Sequence, residues 1–191
     1  MSYGLSFDPG MSSGICLFSW DTEKPFQQEA LWQITDGAQG LSDWLDREGV
    51  KVYRDDDGKH HAEIGKVRPI RLDRIVSEKF TPRKHESFAL TLDSVEPLRG
   101  EGVLIGRGLA PLIAWAQPSA QYFMGGVDLK DKKRRSREFL KQNGLYVTGK
   151  HVGQKDADDA ISAELHAIAL MRRMRHMPTL FELFPDDEGD E

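Results

Sequence analysis

Residues 3–18 read YGLSFDPGMSSGICLF, two short apolar runs joined by a turn of small residues. The first run, residues 3–7, alternates weakly in hydropathy, and the second covers residues 14–18. Between them stands the sequence DPG at residues 8–10, in which Pro sets one backbone dihedral and Gly accepts a positive φ. The segment therefore predicts a β-hairpin at the start of the chain, with Asp8 closing its first strand.

Strands dominate the first part of the chain, and helices alternate with strands afterwards. This order is typical of an α/β domain whose sheet begins with an antiparallel hairpin. Apolar periodicity, β-branched residues and turn sequences indicate where the other elements lie. The predicted elements are strands over 29–34, 74–80 and 120–124, helices over 41–47, 132–142 and 156–174, a glycine-interrupted helical stretch over 95–116, and an exposed loop or hairpin over 53–66.

The composition is that of one folded domain, with 191 residues, 39% of them hydrophobic and 30% charged. These proportions exclude collagen-like and wholly disordered chains. The only cysteine, Cys16, excludes an internal disulfide and a Cys-based zinc site, and we expect it to be buried. No stretch approaches the roughly 20 apolar residues of a membrane span, and no signal segment begins the chain. We therefore expect a cytoplasmic protein with no membrane partner.

The formal net charge of −5 argues against a polyanionic partner if it is taken as an average. The charge is unevenly distributed, however, because residues 182–191 hold six acids and no base. Without those six acids, the charge of −5 becomes +1 for the rest of the chain. We therefore divide the chain into a folded domain over 1–176 and an acidic tail over 177–191.

Four acids stand where predicted elements begin or end: Asp8 and Glu78 on strands, and Asp156 and Asp159 in the first turn of the last helix. Positions three apart share a helix face, so Asp156 and Asp159 project together. Each acid alone has an ordinary explanation, as a turn residue, a solvent-facing strand end, or a partner of the helix dipole. Together they would form a cluster of like charge that is costly unless cations neutralise it.

Oxygen ligands select hard cations such as Mg²⁺ or Mn²⁺. Two such ions about 3.5 to 4 Å apart can activate a water and stabilise the leaving oxygen of a phosphodiester. The four acids therefore predict a two-metal nuclease centre.

The sequences SFDPG at 6–10, IVSE at 75–78 and DADDA at 156–160 together resemble the RuvC family of Holliday-junction resolvases, over about residues 3–172. The resemblance implies an RNase H-like fold, a mixed five-stranded sheet with helices on both faces. It also implies a phage-type member of the family that acts as a homodimer. Such an enzyme would use two Mg²⁺ or Mn²⁺ ions in each active site to nick four-way and other branched DNA. The resemblance says nothing about a branch-migration partner.

The resemblance also implies roles for individual residues. Asp8 would bridge the two metals, Glu78 would bind metal and orient the attacking water, and Asp156 and Asp159 would complete the cage. Phe80 is the nearest candidate for the family's aromatic wedge, and a core Phe is an equal alternative.

A basic cluster covers residues 130–137, at the start of the helix predicted over 132–142, with six bases and one acid in eight residues. A solvated helix face is the ordinary explanation of such a run, whereas the resemblance implies contact with DNA phosphates. The bases are Lys130, Lys132, Lys133, Arg134, Arg135 and Arg137.

Three other functions remain open on the sequence. One is an RNase H-like nuclease that acts on RNA/DNA hybrid, and another is a scaffold that binds junctions without cutting them. A third is an actin-like ATPase domain, because residues 8–14 superficially resemble a phosphate loop, although 191 residues leave little room for the duplicated half of that fold.

Overall fold

The computed structural model describes residues 1–80, 92–116, 129–146 and 158–185. The predicted strand near 120–124, Asp156 and the acids beyond 185 lie outside these ranges. The strands are β1 (Ser2–Asp8), β2 (Ser13–Trp20), β3 (Gln27–Ile34), β4 (Lys51–Arg54), β5 (His60–Ile64), β6 (Ile70–Leu72), β7 (Arg74–Glu78) and β8 (Ile113–Ala116). The helices are α1 (Gly37–Glu48), α2 (Leu92–Gly106), α3 (Leu129–Gln142), α4 (Asp158–Arg173) and α5 (Met177–Leu183), and a 3-10 turn covers Ala110–Leu112.

Five strands form one mixed sheet in the order β3-β2-β1-β7-β8. The strands β1, β2 and β3 run antiparallel to one another, whereas β7 runs parallel to β1, and β8 runs parallel to β7. The predicted opening hairpin is present, and it pairs Asp8 with Gly14. This mixed sheet confirms the predicted RNase H-like fold.

Helices cover both faces of the sheet, as predicted. On one face, Leu5 and Phe7 of β1 belong to a core that includes Trp44 of α1 and Leu104 of α2. The rings of Phe7 and Trp44 meet edge to face with their centroids 6.3 Å apart. Full burial of each such side chain stabilises the fold by about 1.5–3 kcal/mol.

The opposite face belongs to α4. Cys16 and Phe18 of β2 pack there with Ala163 and Ile168, and Cys16 has no exposed surface. Because side chains alternate along a strand, Ser6 also faces α4, and its hydroxyl donates to the carbonyl of Ala163 at 2.5 Å. The same core contains Leu183 and Phe184 from the end of α5.

A small antiparallel sheet of β4, β5 and β6 stands where a loop or hairpin was predicted. It joins the main sheet at the amino ends of β1 and β7, where the Asp73 amide donates to the Tyr3 carbonyl at 2.8 Å. Ala62 and Leu72 are paired across this sheet, and both are buried in the core beside α1. The small sheet therefore lies at the edge opposite the ends of β1 and β7 that carry Asp8 and Glu78.

The stretch over 95–116 is not helical throughout. The helix α2 ends at Gly106, and after the 3-10 turn the chain forms β8, the fifth strand of the main sheet. Ile113 and Ala116 are buried against β7, which gives this short run its tertiary partner.

Among the described residues, no helix combines the length and the apolar character needed to cross a membrane.

Candidate active site

Asp8 and Glu78 lie side by side because their strands are adjacent and parallel. The register pairs Phe7 with Ser77, so the next residue on each strand is one of the two acids. Both side chains point to the face that α4 covers, since Ser6 and Val76, two residues earlier, face the same way. The carboxylates therefore meet at the carboxyl ends of the strands.

Asp159 reaches this edge from the first turn of α4. The helix can come so close because residue 14 of β2 is glycine: a Cβ there would overlap the carbonyl group of Asp159. The hydroxyl of Ser12, in the turn before β2, donates to the carboxylate of Asp159. The small residues after Asp8 thus allow α4 to lie over the ends of the strands.

The pKa of Asp8 is affected by its burial and by the two acids close to it. Burial raises the pKa of Asp8 well above its ordinary value, and the nearby charges of Glu78 and Asp159 raise it further. A hydrogen bond with Ser162 of α4 acts in the opposite direction and does not offset them. In the absence of a cation, Asp8 therefore holds a proton more readily than an ordinary aspartic acid.

Glu78 behaves differently because it has a donor of its own. Burial by itself would raise its pKa, but hydrogen bonds with His166 and Asp8 outweigh burial and lower it. The Nε2 atom of His166 lies 2.8 Å from Oε2 of Glu78. The two acids therefore differ, because the pKa of Asp8 is raised whereas that of Glu78 is lowered.

The donor set fits a divalent cation. One potential ligand atom from each of Asp8, Glu78 and His166 lies within 4.8 Å of the other two. Carboxylate oxygens are ligands that Mg²⁺ and Mn²⁺ accept, and a cation between them would remove the repulsion that raises the pKa of Asp8. Asp156, the fourth predicted ligand, lies outside the described residues.

Two residues at this site were missed by the sequence analysis. His166 stands seven residues after Asp159 and therefore on the same face of α4, and this spacing is the one signal that could have found it. Glu101 of α2 accepts a hydrogen bond from the backbone amide of Phe80. Burial raises the pKa of Glu101, and Glu78 is among the charges that act on it. No local pattern in the sequence marks Glu101.

Phe80 is partly buried and directly follows the end of β7, with its amide held by Glu101. Its predicted contact with DNA stays a prediction.

The basic cluster lies on α3, with four of its six bases exposed and Lys132 and Arg137 partly buried. Arg134 pairs with Asp131 and Glu138, and Arg135 also pairs with Asp131. Such surface pairs contribute about 0–1 kcal/mol, so they leave these side chains able to exchange a carboxylate for a phosphate.

No family model matches this chain, and no curated protein matches it. Solved structures do match it, including two of one protein. The chain is similar to RuvC. A Thermus thermophilus RuvC structure in complex with Holliday junction substrate is 13% identical, with a TM-score of 0.48, over 92% of this chain and 98% of that one. Another structure of the same RuvC is 14% identical, with a TM-score of 0.47, over 91% and 97% of the two chains. The predicted phage type stays a prediction.

Proposed function

We propose that this protein is a metal-dependent, structure-selective endonuclease that resolves Holliday junctions and other branched DNA by two-metal phosphodiester hydrolysis. The observation that carries the proposal is the meeting of Asp8 and Glu78 at the ends of two parallel strands, with Asp159 close enough to raise the pKa of Asp8. A group of acids held so close in a folded chain favours divalent cations.

Within this proposal each side chain has a task. Asp8, whose pKa both other acids raise, would be the ligand that the two cations share, and Glu78 and Asp159 would also bind them. Asp156 completes the set. When bound, the two ions supply an activated water and stabilise the leaving oxygen. The hydroxyl of Ser12 orients the carboxylate of Asp159, and Ser162 does the same for Asp8.

The basic side of α3 would bind the DNA backbone. Lys130, Lys133, Arg134 and Arg135 are exposed there, and such contacts position a duplex without reading its sequence. A nuclease that depends on these contacts would select the shape of its substrate over its base sequence. Phe80, beside Glu78, would support base-pair opening at the crossover.

We further propose that the protein acts as a homodimer. Leu98 and Ile105 lie seven residues apart on one face of α2, and they are 42% and 52% exposed. Gly102 lies between them, and no described residue stands within 4 Å of a Cβ placed there. An exposed apolar face of this kind suits a second copy of the chain, which would bring a second site to the opposite strand of a junction.

The deciding experiment is cleavage of a labelled four-way junction in Mg²⁺ or Mn²⁺, with linear duplex and RNA/DNA hybrid as alternative substrates. Asp8→Asn, Glu78→Gln and Asp159→Asn should each cut at less than about one hundredth of the wild-type rate. Asp56→Asn, an exposed acid in the β4–β5 turn, is the matched control and should cut normally.

Other outcomes would favour the alternative functions. Faster cutting of the hybrid than of the junction would favour an RNA-directed nuclease. Junction binding without cutting by the wild type would favour a scaffold. Normal cutting by folded Asp8→Asn and Asp159→Asn would contradict the metal assignment.

A further inference from the structure

We propose that His166 is a positioning residue of this site: it fixes the carboxylate of Glu78 through an Nε2–H hydrogen bond and does not itself bind the metal. The inference rests on the proposed function, and it assigns a role to a residue that stands outside the four acids.

His166 is placed for this role by the fold. It lies on α4 with no exposed surface, and the apolar residues of that helix pack on the main sheet. Its Nε2 atom lies 2.8 Å from Oε2 of Glu78. A fully buried imidazole has few rotamers available, so it holds the carboxylate more firmly than a solvent-exposed donor would.

The second ring nitrogen decides between positioning and metal binding. Among the described residues, Nδ1 of His166 is buried and has no hydrogen-bond partner. If Nε2 bound a metal, the neutral ring would carry its proton on Nδ1, which would become a buried N–H donor without an acceptor. Metal-binding histidines usually donate that second N–H to an acceptor, and none of the described residues supplies one.

The opposite tautomer leaves no N–H donor of the ring without an acceptor. With the proton on Nε2, the ring donates to Glu78, and Nδ1 keeps only an unused lone pair. This arrangement occupies Oε2 of Glu78 with the hydrogen bond from His166 and leaves Oε1 without a contact from the ring. Glu78 would then bind the metal through one oxygen in a fixed direction, whereas a mobile carboxylate could also bind through two.

Nitrogen-15 spectra of protein labelled in its histidine rings test the tautomer. One histidine, identified by its loss in His166→Gln, should carry a proton on Nε2 and none on Nδ1. Titration with Mg²⁺ should leave that proton in place. A proton on Nδ1 with none on Nε2, or the loss of the Nε2 proton when Mg²⁺ is added, would overturn the proposal and make His166 a ligand.

Two polar variants test the function of the hydrogen bond. The amide nitrogen of glutamine reaches the position of Nε2, whereas that of the shorter asparagine reaches only the position of Nδ1. His166→Gln should therefore keep Mn²⁺ affinity, measured by calorimetry, within about threefold of the wild type. His166→Asn should lose about 10- to 100-fold, which is the range observed when a partner of a metal ligand is removed.

The remaining outcomes separate this inference from the proposed function. Equal Mn²⁺ affinity in wild type, His166→Gln and His166→Asn, together with loss of binding in Asp8→Asn, would overturn the positioning role alone. Unchanged binding in Asp8→Asn would overturn the metal centre itself. Circular dichroism of each variant shows whether it is folded, and rescue by glutamine but not asparagine in folded proteins is a result that a purely structural histidine would not give.

Discussion

Gly14 of β2 lies directly beneath Asp159 of α4, so close that a methyl group on residue 14 would overlap the carbonyl of Asp159. The position of the first turn of α4 therefore depends on the absence of a side chain at residue 14 of β2. This contact links the opening hairpin to an acid near the other end of the chain.

Gly14→Ala should accordingly displace the first turn of α4. We expect a loss of about 1–3 kcal/mol in the free energy of unfolding, as for an overpacked core, and a large loss of Mn²⁺ affinity. Urea unfolding and calorimetry measure the two effects. Gly106→Ala is the control, because no described residue stands within 4 Å of a Cβ placed at residue 106, the last residue of α2. Normal metal binding by Gly14→Ala would contradict the contact.

Asp8→Asn should stabilise the metal-free protein while removing its function. Because the pKa of Asp8 is raised in the folded state, its contribution to stability is present at low pH and is lost as the pH rises through its folded pKa. In EDTA, the variant should therefore melt a few degrees above wild type at pH 8 and equally at pH 4. Added Mn²⁺ should raise the melting temperature of the wild type only. A variant that melts lower than wild type in EDTA at pH 8 would show that the acids do not repel one another.

Glu164 of α4 provides a second pH dependence that has no part in the proposed reaction. Burial raises its pKa well above the ordinary value, although Gln28 donates to Oε1 at 2.7 Å, and Oε2 has no partner in the part of the chain that the structure describes. Its stabilisation is complete below about pH 4 and is lost as the pH rises, by up to about 1.4 kcal/mol per pH unit. Glu164→Gln should remove this slope in urea unfolding at several pH values in EDTA, whereas exposed Glu23→Gln should keep it. Parallel curves for wild type and Glu164→Gln would contradict the prediction.

Salt dependence tests the basic face of α3. Each lost phosphate contact lowers the slope of log affinity against log salt by about 0.9 for duplex DNA. We expect the double variant Lys130→Ala/Lys133→Ala to lose a slope of about 1.8 on junction DNA, measured by fluorescence anisotropy between low and moderate salt. Lys59→Ala, in the small sheet at the opposite edge, should leave the slope unchanged. An equal decrease in both proteins would point to net charge as the cause.

The exposed face of α2 predicts the oligomeric state. Leu98→Glu/Ile105→Glu would place two charges in the proposed dimer interface, so light scattering should find monomers where wild type is dimeric. The loss of the dimer should also weaken junction binding, whereas the affinity for metal should be unchanged. Arg99→Glu is a control of similar charge change, and its side chain is 61% exposed and pairs with Glu96. A wild type that is monomeric at all concentrations would exclude the dimer.

Local patterns in the sequence predicted the elements that shape the site. The hairpin turn at residues 8–10 and the helical period of α4 depend on neighbours in sequence, and both were found. The fifth strand was not, because residues 113–116 form an apolar run too short to distinguish helix from strand, and its partner β7 is far away in the chain. The strands β4 and β5 form a hairpin, one of the two alternatives predicted for this region, whereas β6, the third strand of their sheet, was not predicted.

At the site, too, the residues that local sequence patterns predict differ from those that only distant contacts bring together. Asp8 and Glu78 could be found from strand ends, since two parallel strands carry their last residues to one edge. The bond between His166 and Glu78 joins residues 88 apart, and only the packing of α4 on the sheet brings them together. Helical periodicity places His166 beneath Asp159, but it cannot show which strand lies opposite.

The complete burial of Cys16 makes this chain ready for site-specific labelling. The thiolate is the form that reacts with maleimides, and burial raises the pKa of this thiol well above its usual value. A cysteine introduced at exposed Asp57, in the β4–β5 turn, would then be the only reactive thiol of the folded protein. A dye attached there stands at the edge opposite the carboxylates, where it can report the approach of labelled DNA without occupying the site.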